Sequence, residues 1–89
     1  MMQLKPGYKL RQVLDMYVVM GTGKEAYRPN SIMSVNETGA FLWQKLAEGA
    51  DLDGLVAALT AEYAVSADIA RTDAEEFVEK LRTSGCLEA

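Results

Sequence analysis

The sequence predicts one α+β domain, in which a three-stranded antiparallel sheet is followed by three helices. Three observations carry this. The first third holds short alternating or β-branched runs separated by turn formers, as strands and hairpins do. From residue 37 onward, apolar side chains recur at steps of three and four, the spacing of a buried helix face. Asn36, Asp51 and Ser66 are good helix caps, and Gly49 and Gly85 suit left-handed stops, so the second part divides into three helical segments.

Residues 8–14 alternate apolar and polar positions, which reads as a half-buried strand. Asp15 is a tight-turn residue. Residues 16–20 (Met-Tyr-Val-Val-Met) form the second strand of the hairpin. Gly21, Thr22, Gly23, Lys24 and then Arg28, Pro29 and Asn30 make a loop rich in turn formers. Residues 31–35 are a third short strand, and three strands with a helix packed on one face suffice for stability where a lone hairpin does not. In the first helix Leu42, Trp43, Leu46 and Ala47 face inward, and in the second Leu52, Leu55, Val56, Leu59 and Tyr63 do so. The third buries Ala70, Ala74, Phe77, Val78 and Leu81. Trp43 and Tyr63 lie on inward stripes and read as core. Asn36 to Gly39 read as structural: a cap, and a glycine that lets the helix start close to another backbone.

At 89 residues there is room for one core, so residues 1–89 are taken as a single domain. Hydrophobic residues at 49% and charged ones at 25% place the chain with globular rather than disordered proteins. The single cysteine, Cys86, excludes an internal disulfide and fits a reducing compartment. No apolar run near residue 1 resembles a secretory signal, and residues 16–20 are too short to span a bilayer. The expectation is a cytoplasmic protein with no membrane partner.

The chemistry most enzymes need is missing. There is no histidine, and Cys86 has no companion for a zinc site; it reads as a small apolar residue sealing the end of the third helix. Glu75, Glu76 and Glu79 read as a solvated helix exterior. The Gly-Lys pair at 23–24 fails as a phosphate-binding loop, because Val18 and Glu25 stand where a glycine and a Ser or Thr are required and a strand follows. No catalytic residue, metal or cofactor is expected, and the chain is read as a binding domain rather than an enzyme.

Residues 34–43, Ser-Val-Asn-Glu-Thr-Gly-Ala-Phe-Leu-Trp, are the most distinctive stretch. They resemble the strand-to-helix junction of the PqqD family. Residues 55–65 and 70–87 extend the resemblance in the right order, so that it covers residues 8–87. Departures are Ala64, Ala74 and Cys86, of which Ala74 would enlarge a groove beside the third helix. The resemblance implies a winged-helix-like fold and a non-catalytic peptide chaperone. It implies binding of the leader segment of a ribosomally made precursor peptide, which is presented to a maturase such as a radical S-adenosylmethionine enzyme or to a leader peptidase. It also implies that the leader adds a strand to the edge of the third strand and lies in a groove against the third helix.

Alternation then selects residues. Within the strand Ser31, Ile32, Met33, Ser34 and Val35, the core takes Met33 and Val35, leaving Ile32 and Ser34 on the other face. On the third helix Ile69, Asp73 and Lys80 share one flank, with Phe77 at its base, and this flank is expected to line the groove. Arg71, Glu75 and Arg82 mark the opposite, charged flank.

The alternative weighed is a winged helix-turn-helix DNA-binding regulator. Its recognition helix would be residues 67–84, which carry three basic and five acidic residues. That excess of negative charge argues against phosphate contact, as does the acidic half from residue 36 onward, with eleven acidic and four basic residues. No nucleic-acid partner is expected. An open strand edge also invites an edge-paired or strand-swapped dimer at high concentration, with a monomer expected at micromolar concentration.

Overall fold

The computed structural model describes residues 3–5, 7–23 and 32–88. Their order is β1 (Gln3–Leu4), β2 (Tyr8–Val13), β3 (Met16–Gly21), β4 (Ile32–Val35), α1 (Glu37–Ala47), α2 (Leu52–Glu62), α3 (Ala67–Ser84) and β5 (Leu87–Glu88). β2, β3 and β4 form one antiparallel sheet in that order, with β4 at an open edge. The expected sheet and three helices are therefore present. Of the third strand, Ser31 lies outside the described residues.

Pairing register sorts the sheet into two faces. Leu10, Val19 and Met33 stand side by side across it, and Val35 opposes Tyr17. Val19 is buried, and Tyr8, Leu10, Met33 and Val35 pack against the same core. The outer face takes Lys9, Arg11 and Val13 from β2, Met16, Val18 and Met20 from β3, and Ile32 and Ser34 from β4. The helices close the core from the other side, with Leu42, Trp43 and Leu46 from α1, Leu55, Val56 and Leu59 from α2, and Ala70, Ala74, Phe77, Val78 and Leu81 from α3. Among the described residues no helix is long and apolar enough to cross a membrane.

The three caps act as their side chains dictate. Asn36 Oδ1 accepts from the Gly39 N–H at 2.7 Å, Asp51 Oδ1 from Gly54 at 2.8 Å, and Ser66 Oγ from Ile69 at 3.3 Å. Gly85 ends α3 with φ 82, the left-handed conformation that a Cβ disfavours. Tyr63 closes α2 in an extended conformation, half-buried, its ring edge-on to Phe41 at 5.5 Å.

Four features depart from the sequence reading. Leu14, taken as the end of a strand, lies in the turn after β2, and Ala47, taken as inward, is exposed near the end of α1. Gly21, taken as loop, pairs with Tyr8 and completes β3. In addition, β1 and β5 join the two ends of the chain, with Leu4 opposite Leu87 and the Lys5 N–H donating to the Cys86 carbonyl at 2.8 Å. Two-residue strands have no alternation to detect, and their pairing is entirely non-local.

The hairpin between β2 and β3 turns on Leu14 and Asp15, and Leu14 has φ 59 with its side chain 89% exposed. A leucine there carries left-handed strain without compensating burial. Leu14→Gly is expected to raise stability by about 0.5–1 kcal/mol, read as a higher urea midpoint at unchanged slope.

Candidate functional site

The end of β4, the first turn of α1 and one flank of α3 enclose a cleft of about 290 Å³. Val35, Leu42 and Phe77 supply its apolar surface; Asn36, Thr38 and Gly39 form one wall, and Asp73, Glu76 and Lys80 the other. The positions on α3 follow from helical spacing: 73, 76, 77 and 80 fall on one stripe. This volume is at the low end of small-molecule sites, about 300–1,000 Å³, and suits one or two peptide side chains better than a buried metabolite.

Gly39 sets how closely α1 approaches the other two elements. A Cβ built there would stand 3.1 Å from Val35 Cβ and 3.2 Å from both Asn36 Oδ1 and Phe77 Cε1. Gly39→Ala is expected to displace the Phe77 ring and to destabilise the fold by about 1 kcal/mol, despite alanine's better helix propensity. Urea unfolding checks the stability, and the ring resonances of Phe77 check the displacement.

Lys80 links the cleft to the sheet edge. Its Nζ donates to the Ser34 carbonyl at 3.1 Å, a contact made across the open side of β4. Ser34 therefore turns its main-chain groups toward α3 and away from β3. Ile32, two residues earlier, shares that orientation. The edge thus offers main-chain donors and acceptors beside the cleft. Met33, whose side chain is on the inner face, is held by α3 through Ser84 Oγ at 3.3 Å from its sulfur.

Of the residues expected at the groove, Val35, Asp73, Phe77 and Lys80 come together in the cleft. Ile32 and Ser34 are exposed on the outer face and Met33 is half-buried, as alternation requires. Ile69 sits one turn before Asp73 and is 54% exposed, so it extends the same stripe beyond the cleft rather than lining it. Five lining residues escaped the sequence reading. Leu42, read as core only, also supplies apolar surface to the cleft. Asn36 and Gly39, read as structural only, do cap and pack, and they also build the wall. Thr38 joins them. Glu76, read as solvated exterior, is exposed but stands on the rim, because it precedes Phe77 on the stripe that faces α1. Ala74 is wholly buried in the core and is absent from the cleft lining, so its small size does not enlarge this groove.

The opposite flank of α3 has its own depression, about 280 Å³, lined by Leu52, Glu75, Val78, Glu79 and Arg82. It adjoins α2 and has no strand edge beside it. There Arg71 donates to Asp53 at 2.8 Å, and this hydrogen bond raises the guanidinium pKa above its already high ordinary value. Arg82 pairs with Glu79 at 2.6 Å. Among the described residues no group of three or more His, Cys, Asp or Glu side chains could hold a metal, and the Cys86 thiol is buried in the core.

Two solved structures share this fold. TbiB1 in complex with the TbiA(beta) leader peptide superposes with a TM-score of 0.79 at 21% identity, over 98% of this chain and 95% of that one. Lasso peptide synthetase B1 complexed with the leader peptide gives 0.78 at 24% identity, over 99% and 98%. No curated protein sequence matches significantly. The family model for PqqD, coenzyme PQQ synthesis protein D, matches residues 17–87, which takes in nearly all of β3, β4 and all three helices, and the chain belongs to the PqqD family.

Proposed function

We propose that this protein captures the leader segment of a ribosomally made precursor peptide as an added strand on β4 and presents it to a modifying enzyme, without performing chemistry itself. One observation carries the reading: the open edge of β4 runs beside a cleft with an apolar floor, formed with α3. An exposed edge binds extended backbone with little demand on its sequence, and pockets beside it select side chains. Ile32 and Ser34 provide the main-chain groups. Val35, Leu42 and Phe77 receive an apolar leader side chain, while Asp73, Glu76 and Lys80 border it; Ile69 offers a further apolar contact one turn on. Both structural neighbours are complexes with leader peptides, which supports the same use of the shared fold. The enzyme served is a maturase, such as a radical S-adenosylmethionine enzyme, or a leader peptidase.

The DNA-binding reading finds no support in the helix it requires. All three cations of α3 have partners: Arg71 with Asp53, Arg82 with Glu79, and Lys80 with the Ser34 carbonyl. Freeing them for phosphate would leave five carboxylates on the same helix to repel it.

The test is titration of the protein with a synthetic, fluorescently labelled leader from the short precursor peptide encoded nearest its gene. Saturable sub-millimolar binding, lost on scrambling the leader, is the expected result. Binding to a DNA duplex at moderate salt in place of the leader would contradict the proposal.

A further inference from the structure

The outer face of the sheet is not used by the cleft, and its composition is unusual for a solvent-facing surface. Val13 is 55%, Met16 54% and Ile32 63% exposed, with Val18 and Met20 half-buried between them. The face carries two cations, Lys9 and Arg11, both exposed and neither ion-paired with a described residue. Its eight positions include no carboxylate. A contiguous apolar surface with a one-sign border marks a protein docking site more often than a solvated face.

We infer that this outer face, widened by the captured leader, is the surface on which the modifying enzyme docks, through an apolar patch bordered by carboxylates. The inference rests on the leader-binding reading and deepens it. A strand added to β4 extends the sheet, so its side chains alternate between the cleft and the outer face beside Ile32 and Ser34. A protein seated on Val13, Met16, Val18 and Ile32 therefore touches the leader as well. Leader and enzyme then bind with mutual reinforcement, because each completes the other's contact surface. Charge selects this occupant over a second copy of the chain. A two-fold pairing of outer faces buries two Lys9–Arg11 pairs in one interface with no carboxylate to neutralise them, whereas a carboxylate-bordered partner satisfies both.

The experiment uses the whole protein, the leader above, and the purified modifying enzyme encoded with that precursor. Met16→Glu and Arg11→Glu change exposed positions on the hairpin, away from β4 and the cleft, and far-UV circular dichroism confirms that each folds. Both variants are expected to hold the leader within about twofold of wild type and to bind the enzyme at least about tenfold more weakly. In the wild type, leader should tighten enzyme binding several-fold. Enzyme binding unchanged in both variants, with leader binding intact, would overturn the inference. A wild-type dimer by light scattering that Met16→Glu dissolves would assign the face to a second copy and overturn it equally. Failure of the wild type to bind any leader would instead overturn the reading beneath it, and this inference with it.

Discussion

Ser34→Pro is expected to weaken leader capture at least about tenfold while the domain stays folded. Ser34 is the residue whose carbonyl Lys80 reaches from α3, and in an antiparallel strand the N–H and C=O of one residue lie on the same side. Its N–H is therefore a donor of the open edge, unused by β3. Proline removes that donor and puts a ring carbon where the leader backbone would approach. Edge strands tolerate proline at such positions, and a proline at 34 also favours the extended conformation Met33 already has. The expected result is at least about a tenfold loss of leader affinity, or about 1.4 kcal/mol, with a stability change near or below about 1 kcal/mol. Ser34→Thr keeps the N–H and should bind as the wild type does. The same labelled-leader titration, run with urea unfolding, separates lost binding from lost folding.

Leu81→Ala should destabilise the whole domain. Leu81 is fully buried on α3, in the one core that joins sheet and helices, and its carbonyl also receives the Cys86 N–H at 2.9 Å where the chain turns toward β5. Truncating a buried leucine costs about 2–5 kcal/mol, the transfer of the lost methyl groups plus the cavity left behind. A domain of this length has a total of about 4–13 kcal/mol to lose. Thermal unfolding should fall by about 8–40 °C, since one kcal/mol is worth about 4–8 °C at this size. By contrast, Ile69→Ala, at an exposed position of the same helix, should move stability by less than about 0.5 kcal/mol. Calorimetry on the three proteins checks both statements.

The helical half of the fold was legible because its signals are local. Asn36, Asp51 and Ser66 cap through their own side chains to residues three positions on, and the inward stripes of the three helices match the observed core except at Ala47, which is exposed at the end of α1. The inner and outer faces of β4 followed from alternation alone. β1 and β5 were not legible, since Gln3 and Glu88 meet only once the whole domain has closed. The candidate site was half legible for the same reason. Periodicity put Asp73, Phe77 and Lys80 on one flank of α3, but nothing local says that the first turn of α1 stands opposite them. That juxtaposition makes Asn36, Thr38 and Gly39 a wall and places Glu76 on the rim. It also fixes where the cleft ends, one turn short of Ile69.

The most direct test of strand addition is amide hydrogen exchange of the isotope-labelled protein with and without leader. The Ile32 and Ser34 amides point outward from β4 in the free protein, so they should exchange quickly and become strongly protected when leader is bound. Perturbations should extend to Val35, Asp73, Phe77 and Lys80. Protection confined to the depression between α2 and α3, at Leu52, Glu79 and Arg82, with Ile32 and Ser34 still exchanging freely, would contradict strand addition.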